Sequence, residues 1–97
     1  MPGGKGSIVI YPNPAQSSAL VTLQLTLPAP AEQIQVLLYT LSFRQVNEIS
    51  LFNIPGGDTD ISLPLFDRQG HPLANGIYYV VVRTSRERLI SKLMILR

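Results

Sequence analysis

Apolar residues recur at every second position through most of the chain, the spacing of a strand with one buried and one wetter face. The clearest run is 19–27, where Ala19, Val21, Leu23, Leu25 and Leu27 point one way and Leu20, Thr22, Gln24 and Thr26 the other. Ahead of it, Ser7 to Tyr11 predicts a short first strand. Pro12-Asn13-Pro14 ends that strand, because each proline fixes φ and removes a hydrogen-bond donor. Pro28-Ala29-Pro30 stops the second strand in the same way. Gln33 to Thr40 predicts a third, with Ile34, Val36 and Leu38 on one face and Gln33, Gln35, Leu37 and Tyr39 on the other.

A turn at Leu41-Ser42-Phe43 leads into a fourth strand, Arg44 to Phe52. There Val46 and either Ile49 or Leu51 reach the core, so the alternation slips and a bulge is expected. Pro55 to Asp60 reads as a loop, and Ile61 to Leu65 as a short fifth strand that Pro64 places at a sheet edge.

The last third is the most strongly patterned. Asp67-Arg68-Gln69-Gly70-His71-Pro72 is turn-rich, and Asn75-Gly76 releases the chain into the β-branched and aromatic run Ile77 to Val82. After Ser85-Arg86-Glu87 a final strand runs from Leu89 to Leu96. With Tyr78, Val80 and Val82 facing the core, an even number of loop residues sets Leu89, Ser91, Leu93 and Ile95 beside them. Ile77, Tyr79, Val81, Ile90, Met94 and Leu96 then lie outward around Lys92. That face is too apolar for a freely solvated sheet and is expected to be a contact surface.

Seven short strands punctuated by Pro, Gly and Asn predict an all-β, immunoglobulin-like sandwich of antiparallel strands. Eight prolines and the period of two argue against helix. A chain of 97 residues is one domain, and 45% hydrophobic residues make it an ordinary globular one. Met1 to Gly6 reads as a linker or cloning remnant, and residues 7–97 as a module of a longer protein. No stretch approaches the roughly 20 apolar residues that span a bilayer as a helix. With no cysteine, neither disulfides nor thiolate metal sites contribute.

The net charge of +2 is small, but Arg83, Arg86, Arg88, Lys92 and Arg97 gather in the closing hairpin against Glu87 alone. Such a cluster is either an edge that discourages sheet-to-sheet aggregation or a docking face for an acidic partner. No aromatic stacking pattern accompanies the charges, which argues against nucleic acid.

Candidate chemistry is sparse. His71, the single histidine, sits in a turn with no nucleophile elbow in the sequence, so it reads as a turn residue and no catalytic residue is expected. Asp58, Asp60 and Asp67 offer oxygen ligands, yet Asp-Thr-Asp lacks the third position and distal glutamate of a calcium loop. Gly56-Gly57 lacks the helix and lysine of a phosphate cradle. Tyr11, Tyr39, Tyr78 and Tyr79 raise sugar stacking, but Tyr78 and Tyr79 point to opposite faces and tryptophan is absent. No metal, cofactor or catalytic centre is therefore predicted.

Three stretches carry a family resemblance. Tyr11-Pro12-Asn13-Pro14-Ala15, then Ile34 to Tyr39 with Arg44 and Val46, then Leu73 to Tyr78 with Val80, Val82 and Lys92-Leu93 follow in order. Together they resemble the C-terminal sorting domains of the type IX secretion system, the Por secretion system type A sorting domains. That family usually has Asp or Asn after the tyrosine and Gly before the basic residue, where Thr40 and Phe43 stand here. Asp67 to Gly70, Pro72 to Gly76 and the Met94 to Arg97 ending resemble a sister family, the FlgD-like immunoglobulin-like domains, whose usual tryptophan is replaced by Leu65-Phe66.

The sorting resemblance implies a non-catalytic module directing export and cell-surface attachment of a larger protein. Its partners would be the outer-membrane secretion machinery and a neighbouring domain of the parent chain. The location implied is the periplasm in transit, then the cell surface or the medium, with the parent's export signal upstream. By that resemblance Gly76 provides a turn, Tyr78 and Leu93 packing, and Lys92 a charge shown to the receptor, together with the extreme C-terminus. The alternatives are a FlgD-like spacer and a carbohydrate-binding module.

Overall fold

The computed structural model describes residues 6–16 and 21–96, and every regular element in them is a strand. In chain order these are β1 (Ser7–Tyr11), β2 (Val21–Leu27), β3 (Ala31–Thr40), β4 (Gln45–Ile54), β5 (Gly57–Leu63), β6 (Gly76–Arg83) and β7 (Arg88–Ile95). They form two sheets, ordered β1-β2-β5 and β4-β3-β6-β7, and every strand pair is antiparallel. The chain changes sheet after β2, β4 and β5, crossing between the two layers three times. This is the immunoglobulin-like sandwich that the alternation predicts.

β2 shows why the sequence folds this way. Val21, Leu23, Leu25 and Leu27 are buried, and the polar residues between them are half-exposed. They meet Ile34, Val36 and Leu38 of β3, Tyr78, Val80 and Val82 of β6, and Leu93 and Ile95 of β7 in one core. Each fully buried Leu or Ile contributes roughly 1.5–3 kcal/mol of transfer free energy, which makes the inward parity the only one available to these strands. Ala19 and Leu20, expected at the start of the second strand, lie outside the described residues.

Three expectations are refined. The stretch 57–60, read as loop, is the first half of β5: Gly57 to Asp60 pair with Leu27 to Gln24. The loop reading overweighted two glycines and two aspartates, whose poor strand propensity is overridden by pairing with β2. β5 ends at Leu63, before Pro64, and it is an edge strand. In β4 the register shifts between Leu38 and Tyr39, whose partners are Asn47 and Gln45, so Val46 is the extra residue of a bulge. The slip lets Val46, Ile49 and Leu51 all pack on the core, where one of the last two was expected.

The segment between β5 and β6 is closed by its own polar groups. Asp67 Oδ1 accepts the backbone N–H of Gln69 and of His71, each at 2.9 Å. The N–H of His71 is the main cause that holds the Asp67 carboxyl below its ordinary value, with the His71 ring 3.5 Å away adding to it. Leu65 and Leu73 flank this loop, bonded N–H to carbonyl at 3.0 Å, and both are buried. The DRQGHP stretch is thus an exposed turn whose flanking Leu65 and Leu73 join the core.

Candidate functional site

β6 and β7 pair as the parity argument requires. Arg83 stands opposite Arg88 across a four-residue loop, and the inner pairs are Tyr78–Leu93, Val80–Ser91 and Val82–Leu89. On the outer face the rows continue across the sheet. Gln35, Arg83 and Arg88 form one; Leu37, Val81 and Ile90 form the next; Tyr39, Tyr79 and Lys92 form the third. Ile77 and Met94 follow.

Leu37 and Val81 belong to this outer face, yet they are only 3% and 6% exposed and are not part of the sandwich core. Val81, expected in the outward contact patch, is therefore its floor rather than its surface. Ile90 and Leu96 are exposed, and Ile77, Tyr79 and Met94 are half-buried. Around the floor lies a groove of about 370 Å³ lined by Leu37, Tyr39, Phe43, Val81, Arg83, Arg88 and Ile90.

Phe43 comes from the β3–β4 turn and was not among the residues expected at the site. Its ring stacks on Tyr79, centroids 5.0 Å apart and 3° from parallel, and it is 66% exposed. Its φ is +63°, a left-handed conformation that bulky side chains rarely adopt. The turn around it is pinned by Thr40, whose hydroxyl accepts the N–H of Arg44 at 3.1 Å, while the Phe43 N–H reaches the Thr40 carbonyl at 2.9 Å. Thr40 thus closes the turn with its own hydroxyl. The readable signal was Phe43 in a position where the resembled sorting-domain pattern has glycine.

The residues singled out by resemblance divide by burial. Gly76 opens β6 at φ +149° with nothing within 4 Å of a would-be Cβ, so the backbone conformation itself calls for glycine. Tyr78 is buried, and its hydroxyl donates to the Ala74 carbonyl at 2.7 Å. That bond reaches back four residues from the start of a strand, the geometry of a tyrosine corner. Leu93 is fully buried in the core. Lys92 alone is displayed, its Nζ 6.0 Å from the Tyr79 ring centre. Arg97 lies outside the described residues.

β7 is a sheet edge, but its C-terminal half is covered. Asn13 donates from Nδ2 to the Lys92 carbonyl at 2.9 Å and accepts the Met94 N–H at 3.0 Å. Ala15 continues the pairing, donating its N–H to the Met94 carbonyl at 2.7 Å and accepting the Leu96 N–H at 2.8 Å. At the other end of β1, the Gly6 N–H meets both Glu87 carboxylate oxygens at 3.0 Å. The chain's first described segment thus clasps the closing ribbon at both ends.

The remaining candidates are dispersed. His71 is exposed beside Asp67. Asp58 accepts the Thr26 hydroxyl at 2.7 Å on β5, and no group of three metal-binding side chains occurs among the described residues. Tyr78 and Tyr79 do face opposite ways, since the first is a core residue and the second stacks under Phe43. Among the described residues no helix is long and apolar enough to cross a membrane.

Comparison with known proteins places this geometry in a family. The model of the FlgD Ig-like domain matches residues 10–88, and the chain belongs to that family. Among solved structures, dimeric latent PorU from Porphyromonas gingivalis superposes with a TM-score of 0.73 at 21% identity, over 94% of this chain and 9% of that one. PorZ, a bacterial surface component of the type-IX secretion system of the same organism, superposes at 0.62 and 16% identity, over 93% of this chain and 11% of its own. FlgD from P. aeruginosa gives 0.66 and 21% identity, over 95% of this chain and 65% of its own. At these identities the likeness is one of fold. The chain spans about a tenth of the two longer proteins. No curated protein matches it.

Proposed function

We propose that residues 7–97 are a non-catalytic recognition module of a larger exported protein, read by the type IX secretion machinery and used to attach its cargo at the cell surface. The observation that carries this reading is the closing β6–β7 ribbon at the edge of the larger sheet, presenting Lys92 and an apolar outer face. The order of the YPNPA, third-strand and closing-hairpin motifs supports it, as does the occurrence of this fold in PorU and PorZ. Gly76, Tyr78 and Leu93 hold the ribbon's shape, and Lys92 is the charge it offers.

A second reading, a spacer that packs against a neighbouring domain, is favoured by the FlgD Ig-like family match and the likeness to P. aeruginosa FlgD. The two separate on one experiment. The 97-residue chain is fused behind a periplasmic reporter in a bacterium that runs type IX secretion. The sorting reading expects the reporter on the surface or in the medium, and loss of that location in a strain lacking the secretion pore. A reporter that stays periplasmic in the competent strain leaves the spacer reading standing.

A further inference from the structure

The outer groove joins three features that the sandwich does not need. Its floor, Leu37 and Val81, is apolar and faces away from the core. One wall is the Phe43–Tyr79 stack, held by a residue in a left-handed conformation. At its other end Arg83 and Arg88 are direct cross-strand partners, a like-charge pairing that works against the hairpin. Neither has an acidic ion-pair partner among the described residues. The Arg83 guanidinium donates to the Gln35 side-chain oxygen instead, through Nε at 3.0 Å and through Nη2.

The acids nearby are otherwise engaged. Glu48, across from Leu37 on β4, meets Arg68 at 3.7 Å and accepts from Gln45 at 3.2 Å, while Glu87 holds the Gly6 N–H. Lys92 adds a third cation on the far side of Ile90.

We propose that this groove binds an extended acidic peptide of a partner protein. One of its apolar side chains rests on Leu37 and Val81 against Phe43, and flanking carboxylates meet Arg83, Arg88 and Lys92. The volume of about 370 Å³ lies at the lower end of the roughly 300–1,000 Å³ range of ligand sites, which suits one or two side chains. The floor is branched aliphatic, and the two rings are stacked face to face rather than laid side by side, so the groove suits a side chain better than a sugar ring. A second copy of this face carries the same excess of cations and brings no unengaged carboxylate to answer Arg83 and Arg88. The assignment is independent of the export route and holds equally for a spacer.

The test is an amide NMR titration of the whole chain. The probe is a six-residue blocked peptide with two acidic residues on each side of a leucine–phenylalanine pair. Controls are the same peptide with lysines for the acids, and trigalacturonic acid. Shifts are expected at Leu37, Phe43, Val81, Arg88 and Ile90 with the acidic peptide, weakening as salt is raised. Arg88→Glu, at an exposed position and checked for a melting temperature no lower than the parent's, should weaken the acidic peptide about tenfold and admit the lysine peptide. Equal response to both peptides, or shifts confined to residues outside the groove, overturns the proposal. Binding of trigalacturonic acid in place of the peptide overturns it in favour of a sugar. Shifts at the same residues on concentrating the free protein overturn it in favour of self-association.

Discussion

Phe43 holds a left-handed backbone conformation while its side chain stays 66% exposed. A left-handed backbone costs a non-glycine residue roughly 1–2 kcal/mol, and the parallel stack on Tyr79 returns about 0.5–1.5 kcal/mol. Phe43→Gly removes both, and adds the roughly 0.5–1 kcal/mol that glycine loses in conformational freedom. The sum runs from a loss of about 1.5 to a gain of about 1 kcal/mol, so urea denaturation of the variant should find its stability within about 1.5 kcal/mol of the parent's. A loss beyond about 2 kcal/mol would show the ring to be part of the packing and would take away the case that it is kept for an external contact. The sequence held this clue only in part. An aromatic where the resembled sorting-domain pattern has glycine was visible, but the stack on Tyr79 depends on a turn geometry set by Thr40, and no periodicity reports that. Gly76, Tyr78 and Leu93 were more legible, since a turn glycine and alternate inward positions follow from local pattern alone.

At the scale of elements, the strands were read from their alternation, and the departures lie where pairing overrides propensity. β5 begins four residues early because β2 offers it a partner edge, and the Val46 bulge restores the inward parity of β4. The clasp could not be read at all. Tyr11-Pro12-Asn13-Pro14-Ala15 looked like a strand terminator, and it is one, but its second office is to cap β7 some eighty residues away. The Asn13 side chain imitates a strand residue, offering one donor and one acceptor at the spacing of a backbone edge. In an antiparallel ladder the Met94 N–H points away from β6, so Asn13 is its protecting partner. Asn13→Ala should therefore accelerate hydrogen exchange at the Met94 amide while Leu93 and Ile95, whose side chains stay in the core, keep theirs. Two exposed hydrogen bonds are worth roughly 0.5–1.5 kcal/mol each, so a fall in overall stability of about 1–3 kcal/mol bounds the effect. Uniform acceleration across β6 and β7 would show instead that the clasp is part of the global unfolding unit.

On the sorting proposal, the question for the whole molecule is whether a receptor reads a folded surface or a linear stretch of chain. A domain of this size is stable by roughly 5–15 kcal/mol, and truncating a fully buried leucine removes about 2–5 of it. Leu93→Ala, which empties a core position and leaves the surface sequence alone, should bring the module near its folding threshold at elevated growth temperature while leaving it mostly folded when cool. Lys92→Glu changes only an exposed side chain and should leave the melting temperature nearly as it was. In the reporter fusion, a receptor that reads the folded ribbon predicts two distinct signatures. Leu93→Ala should lose surface delivery in step with the fraction unfolded, hence with temperature, whereas Lys92→Glu should lose it at every temperature. A receptor that reads the bare sequence of β7 would treat each variant the same way at every temperature. A spacer would deliver nothing in any case, so the temperature dependence of Leu93→Ala is the measurement that separates a shape from a string.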